Sequence, residues 1–149
     1  MERPRPTHPV KLKKEVLDGI RKQAQSASNE IAGLLLGRMR GNTLIVTDIV
    51  TGEQSGSRTH VVLDDEFLAR VASEYGEQGK KKSIVGWYHS HPDLGCFVSS
   101  TDFETQRRFQ ALFSDAIGLV IDPSPPERLA VFRVGEEKPK SVKEEAAAN

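Results

Sequence analysis

The stretch IVGWYHSHPDLGCFVSSTDFETQRRFQALF, residues 84–113, decides how this chain is read. Its first part is rich in β-branched and aromatic residues and predicts a buried strand over 84–91. Pro92 stops that strand, because proline removes the donor that the next ladder bond needs. Further on, Ser99, Ser100 and Thr101 are all good N-cap types for a helix through DFETQRRFQALF, with Thr101 and Glu104 at capping-box spacing. Strand, turn and capped helix follow one another. Residues two apart on a strand share a face, so His89 and His91 can aim their imidazoles at one point. Asp102 falls in the first turn of the helix, where the helix dipole favours an acid.

The flanking sequence supplies the rest of an α/β domain. Leu12, Val16, Leu17, Ile20 and Ala24 recur at helical spacing, predicting an amphipathic helix over 12–27. EIAGLLLGRMRG and TLIVTDIV read as two strands joined through RGN, with Gly33 and Gly37 marking a bend or a close backbone approach. A polar loop over 51–59 precedes a short strand, HVVL, and then a helix, DEFLARVASEYGEQ, capped by Asp64 or Asp65, with Phe67, Leu68, Val71 and Tyr75 on one face. AIGLVID and RLAVFRV are two further strands around the turn PSPPE. Helices alternate with strands throughout, which predicts one mixed central β-sheet flanked by helices. Residues 1–9 read as a flexible leader, 10–135 as the domain, and the charged run 136–149 as a disordered tail or a frayed helix.

Composition removes several function classes. The 21 basic and 21 acidic residues cancel, leaving no strong field to draw the chain onto nucleic acid or an anionic membrane. No apolar run approaches the roughly 20 residues needed to span a bilayer. The charged, proline-rich start has no signal core, so a cytoplasmic protein is expected. The single cysteine excludes an internal disulfide and suits a reducing compartment.

Two imidazoles and a carboxylate are donors that suit zinc, and three protein ligands leave a fourth position open, as catalytic zinc requires. Read one by one, the same residues are ordinary: two strand histidines, a capping serine and an acid at a helix start. Glu30 alone is a surface or helix-end residue. The combination is more specific than its parts.

His-Ser-His-Pro, followed after six residues by Ser-x-x-Asp, resembles the signature of the JAMM (MPN+) metallopeptidases. EIAGLLLG resembles the strand pattern that carries that family's glutamate. The resemblance extends from the first helix to the strand ending near Val134. It implies a single MPN domain of cytidine-deaminase-like fold holding one zinc ion on His89, His91 and Asp102. It further implies Ser99 as the active-site serine and Glu30 as general base. Glu30 would take a proton from water and pass it to the leaving amine, while the Ser99 hydroxyl would donate to the developing oxyanion.

Within the family, GWYHSHPDLGCF, the Thr105–Gln106 pair and LVIDP resemble the deubiquitinase branch of the proteasome lid and its signalosome relative. That implies an isopeptidase acting on conjugates of ubiquitin or a ubiquitin-like protein, with a connection to the proteasome. The resemblance makes residues 52–63 the candidate for the segment that grips the modifier's tail by strand addition, with a flexible connector as the other reading. The lid subunits carry further helices after this domain, so the short charged tail here suggests a compact, archaeal-type relative or a shortened form. Two other readings stand beside this one: a peptidase using Cys96 as thiolate nucleophile, and a non-catalytic scaffold with the same fold. Oligomeric state, modifier and linkage are not encoded in any motif.

Overall fold

The computed structural model describes residues 8–27, 30–51, 65–75, 82–91, 98–135 and 140–141. Along the chain the elements are β1 (Val10–Leu12), α1 (Lys14–Ser26), β2 (Ala32–Arg40), β3 (Thr43–Thr51) and α2 (Asp65–Tyr75). They continue with β4 (Ser83–Ser90), α3 (Ser100–Leu112), β5 (Ile117–Asp122), β6 (Arg128–Phe132) and β7 (Lys140–Ser141). The seven strands among the described residues form one sheet in the order β1-β3-β2-β4-β5-β6-β7. The β1–β3 and β4–β5 pairs are parallel and the other four antiparallel. This is the mixed α/β sheet expected from the alternating pattern.

The sheet has an apolar cluster on each face. On one side Val16, Leu17, Ile20 and Ala24 of α1 pack against Leu35, Leu44, Val46, Tyr88, Leu119 and Ile121. On the other, Val71 of α2 and Phe109 of α3 pack against Leu34, Leu36, Trp87 and Phe132. Each fully buried Leu or Ile contributes about 1.5–3 kcal/mol relative to an exposed one. The two clusters therefore clamp the sheet between α1 and the α2/α3 pair.

Strand β4 does not keep one period. Leu35 pairs with Gly86 but Leu36 pairs with Ile84, so Val85 is an extra residue, a bulge. As a result Val85 and Tyr88 face the α1 side, while Ile84 and Trp87 face α2 and α3. Alternation from Trp87 onward carries His89 and His91 to the α2/α3 face. Gly33 and Gly37 behave as expected: a Cβ on Gly33 would run into the Tyr88 ring, and one on Gly37 into the Ile45 carbonyl beside a second bulge.

Several boundaries differ from the sequence reading. Leu12 lies in β1, not at the start of α1, because Val10–Leu12 pairs in parallel with Leu44–Val46 and the Lys13 N–H donates to the Val46 carbonyl at 3.2 Å. Sheet bonds there displace the first helical turn. The end of the expected leader is engaged: the His8 ring lies 2.8 Å from the Asp115 carboxylate, and its carbonyl accepts from Arg133 at 3.2 Å. In the expected tail, Lys140–Ser141 pairs with Ala130 and Val131. The strand HVVL, Pro92, Cys96 and the segment 52–63 lie outside the described residues. Among the described residues no helix is long and apolar enough to cross a membrane.

Candidate metal centre

His89 belongs to β4 and His91 directly follows it, held by a 2.8 Å bond from its N–H to the Ile121 carbonyl of the parallel neighbour β5. Both are buried, as is Asp102 in the first turn of α3. The carboxylate faces both rings: Oδ1 is 3.2 Å from His89 Nε2, and Oδ2 is 3.6 Å from His91 Nε2. One donor atom from each of the three residues lies within 4.8 Å of the others.

This geometry fits a metal ion. Donors about 2.0–2.2 Å from a tetrahedral zinc stand roughly 3.4 Å apart, close to the two measured separations. The His89–Asp102 contact is near but not aligned as a hydrogen bond, and both ring nitrogens of His89 are buried with no hydrogen-bond partner among the described residues. Buried polar atoms are ordinarily satisfied, so an arrangement that leaves these two bare while aiming one at a carboxylate suits a shared cation. Two histidines and a carboxylate are also the right donor chemistry.

Asp102 is fixed by the helix it begins. Ser99 is the N-cap: its hydroxyl accepts from the Asp102 N–H at 3.1 Å, and Asp102 Oδ2 accepts from the Ser99 N–H at 3.0 Å. The capping box is thus Ser99 with Asp102 and not Thr101 with Glu104, because the helix opens at Ser100 and Thr101 lies inside it. The acid that caps the helix is the same acid that faces the histidines. Burial pushes the Asp102 carboxyl up, but the His89 ring and the Ser99 N–H and hydroxyl outweigh it and hold the group below its ordinary value. The carboxylate is kept ionised, the form that binds a cation.

Glu30 enters through sheet register. Ala32 pairs with His89, and the Ser90 N–H donates to the Ile31 carbonyl at 3.0 Å. The buried Ser90 hydroxyl accepts from the Ile31 N–H at 2.9 Å, closing the pair. Glu30 lies two residues before Ala32, where the β2–β4 ladder opens opposite His89. Glu30 is half-buried, and its carboxylate makes no hydrogen bond or ion pair among the described residues. Of the five residues singled out in the sequence, His89, His91 and Asp102 are brought together and Ser99 caps the helix that Asp102 begins, while Glu30 stands just before β2, the neighbour of β4.

Sequence reasoning treated Trp87 and Gln106 only as marks of resemblance. In the structure the Trp87 indole stacks on the His89 ring at 4.6 Å between centroids with 12° between planes. Its Nε1 donates to Gln106 Oε1 at 2.8 Å. The signals were present as spacing: Trp87 is two residues before His89 on a strand, and Gln106 is four after Asp102 on a helix.

The mixed α/β sheet thus carries a buried His-His-Asp cluster able to hold a metal ion at the end of β4, beside the capped start of α3. The family model described as JAB1/Mov34/MPN/PAD-1 ubiquitin protease matches residues 7–114, and the chain belongs to this family. It is 42% identical over 96 residues to the 26S proteasome regulatory subunit RPN11 of Eremothecium gossypii, an alignment covering 63% of this chain and 31% of that protein. The ubiquitin carboxyl-terminal hydrolase RPN11 of Saccharomyces cerevisiae is 41% identical over the same length, with equal coverage. COP9 signalosome complex subunit 5 of Gibberella zeae is 34% identical over 118 residues, 76% of this chain and 35% of that protein. The chain spans about a third of the length of these relatives. Membership of the JAMM family, close to the proteasome-lid branch, is thereby borne out.

Proposed function

We propose that the protein is a zinc-dependent isopeptidase that hydrolyses the amide bond between the C-terminus of ubiquitin, or a ubiquitin-like protein, and a lysine of its target. The observation that carries this reading is the Asp102 carboxylate lying between two buried histidines, 3.2 and 3.6 Å from their Nε2 atoms. In this reading His89, His91 and Asp102 hold the zinc, Glu30 is the general base and Ser99 stabilises the oxyanion. Zinc in such a site supplies Lewis acidity and makes hydroxide available near neutral pH.

The chain's own groups then divide the labour. An ionised Glu30 can only accept, so it takes the proton released as water attacks the carbonyl carbon and returns it to the departing lysine amine. Ser99 Oγ accepts from the Asp102 N–H, and in this reading its O–H turns to donate to the carbonyl oxygen as negative charge develops there. Water adds across the C–N bond, giving a carboxyl terminus and a free amine. The relatives, a 26S proteasome regulatory subunit and a ubiquitin carboxyl-terminal hydrolase, support a ubiquitin-type substrate and association with the proteasome.

The test is cleavage of a panel of ubiquitin and ubiquitin-like fusions by the wild type and by Glu30→Gln. The amide keeps the shape of the side chain but cannot act as base, so the rate should fall about 10²–10⁴-fold with metal binding retained. Undiminished cleavage by Glu30→Gln would remove the assigned mechanism.

A further inference from the structure

Ligating histidines are ordinarily oriented by donating their second ring N–H to a carboxylate or carbonyl. His89 departs from this: its Nδ1 is buried without a hydrogen-bond partner among the described residues. Its ring plane is instead set by packing: the Trp87 indole lies nearly parallel to it at 4.6 Å, and the His91 ring meets it edge-on at 4.5 Å. The broad face of the imidazole rests on the indole, so what fixes the indole helps to fix the imidazole.

The indole is itself tightly specified. Phe109 lies alongside it at 6.1 Å and Phe132 meets it edge-on at the same distance. Its only polar atom is a donor, and that donor meets Gln106 Oε1 at 2.8 Å. Gln106 is completely buried, and its amide cannot turn over, because Nε2 donates at 2.7 Å to both Gln110 Oε1 and the Ala116 carbonyl. Gly118, the parallel neighbour of Trp87, keeps this space open: a Cβ there would collide with the Phe132 ring and stand 3.1 Å from Gln106 Oε1. Gln110 continues the chain of bonds by accepting from the Val134 N–H at 2.8 Å.

We propose that Gln106 is a positioning residue of the metal site, orienting His89 through the hydrogen-bonded, stacked indole of Trp87. Gln106 touches neither substrate nor metal. It acts by holding the plane on which the His89 ring rests, so that Nε2 stays aimed at Asp102. α3 then contributes twice to the centre, with Asp102 directly and with Gln106 one turn later. This inference rests on the metal-site reading given above.

Zinc affinity, measured by competition with a chromophoric chelator, and the visible spectrum of the Co²⁺-substituted full chain test it. Gln106→Leu should weaken zinc about 10–100-fold and shift the Co²⁺ bands, and Trp87→Phe, which keeps a ring but removes the N–H, should act in the same direction. Because both act along one path, Gln106→Leu should add nothing to the zinc affinity of Trp87→Phe. Gln106→Glu, which keeps an acceptor for the indole, should restore most of the affinity even if it lowers stability. A folded Gln106→Leu chain that binds zinc within twofold of wild type, with an unchanged Co²⁺ spectrum, overturns the inference and leaves the metal-site reading intact. If Gln106→Leu does not fold, Trp87→Phe decides alone: a tenfold loss supports the inference and wild-type affinity overturns it. Failure of the wild type to bind zinc or Co²⁺ overturns the metal-site reading itself, and the inference with it.

Discussion

In the proposed mechanism Ser99 joins two functions in one side chain, and they are separable by measurement. As N-cap its hydroxyl accepts from the Asp102 N–H, an interaction whose loss costs about 1 kcal/mol of stability. As oxyanion donor its loss costs about 3 kcal/mol of barrier, roughly a hundredfold in rate. Ser99→Ala should therefore lower kcat about a hundredfold while shifting the urea midpoint only slightly. A rate loss below tenfold would confine Ser99 to capping. Tyr88 gives a second prediction at this scale. Burial raises its phenol from 10.0 to about 12, although its hydroxyl donates to Gln23 at 2.7 Å. The neutral phenol is thus favoured in the folded chain. Its full contribution is present below pH 10; between pH 10 and 12 the unfolded chain releases the proton first and stability drops, by about 2–3 kcal/mol in all. Urea unfolding at pH 9 and pH 11 should show this drop, and Tyr88→Phe should remove most of it.

Strand β4 shows what a sequence conveys about an element and what it does not. The run 84–91 was legible as a strand, and His89 with His91 on one face followed from the two-residue repeat. The bulge at Val85 was not legible, because a strict repeat groups Val85 with Trp87, whereas in the sheet they face opposite layers. Only pairing with β2 sets that offset. The same holds for β1: three residues carry too little pattern to read, and Val10–Leu12 became a strand only because β3 offers a free edge. Helix α3 was legible, but three adjacent cap types competed, and the choice of Ser99 depends on Asp102 reaching back to the Ser99 N–H. Gln106 was invisible as a functional residue because its partners, Trp87 and the Ala116 carbonyl, lie on other elements. At this scale Gly33→Ala is the sharp test. Its Cβ would strike the Tyr88 ring, which is itself locked in the core, so overpacking should cost about 1–3 kcal/mol in urea denaturation. A stability equal to wild type would mean that β2 and β4 are not held in the described register.

For the molecule as a whole, the metal centre and the fold depend on one another. Glu30 precedes β2, the histidines end β4, and Ser99 with Asp102 open α3, so the site forms only when sheet and helix have come together. Spacing made the His-His-Asp set legible, but that β2, which Glu30 precedes, lies next to β4 is set by the sheet order alone. A ligand that binds only the assembled state stabilises it, by about 2.7 kcal/mol at a hundredfold excess over Kd. Zinc should raise Tm by about 5–10 °C for a chain of this size, and His89→Ala should abolish that rise. An equal rise in His89→Ala would place the ion elsewhere.

The most direct test of the central claim is the rate at which the full chain cleaves an isopeptide-linked ubiquitin conjugate, measured before chelation, after it, and after zinc is returned. The rate should drop to background with the metal removed and recover when one equivalent of zinc is restored. Cleavage that continues unchanged in the chelated protein would contradict a metal-dependent isopeptidase built on His89, His91 and Asp102.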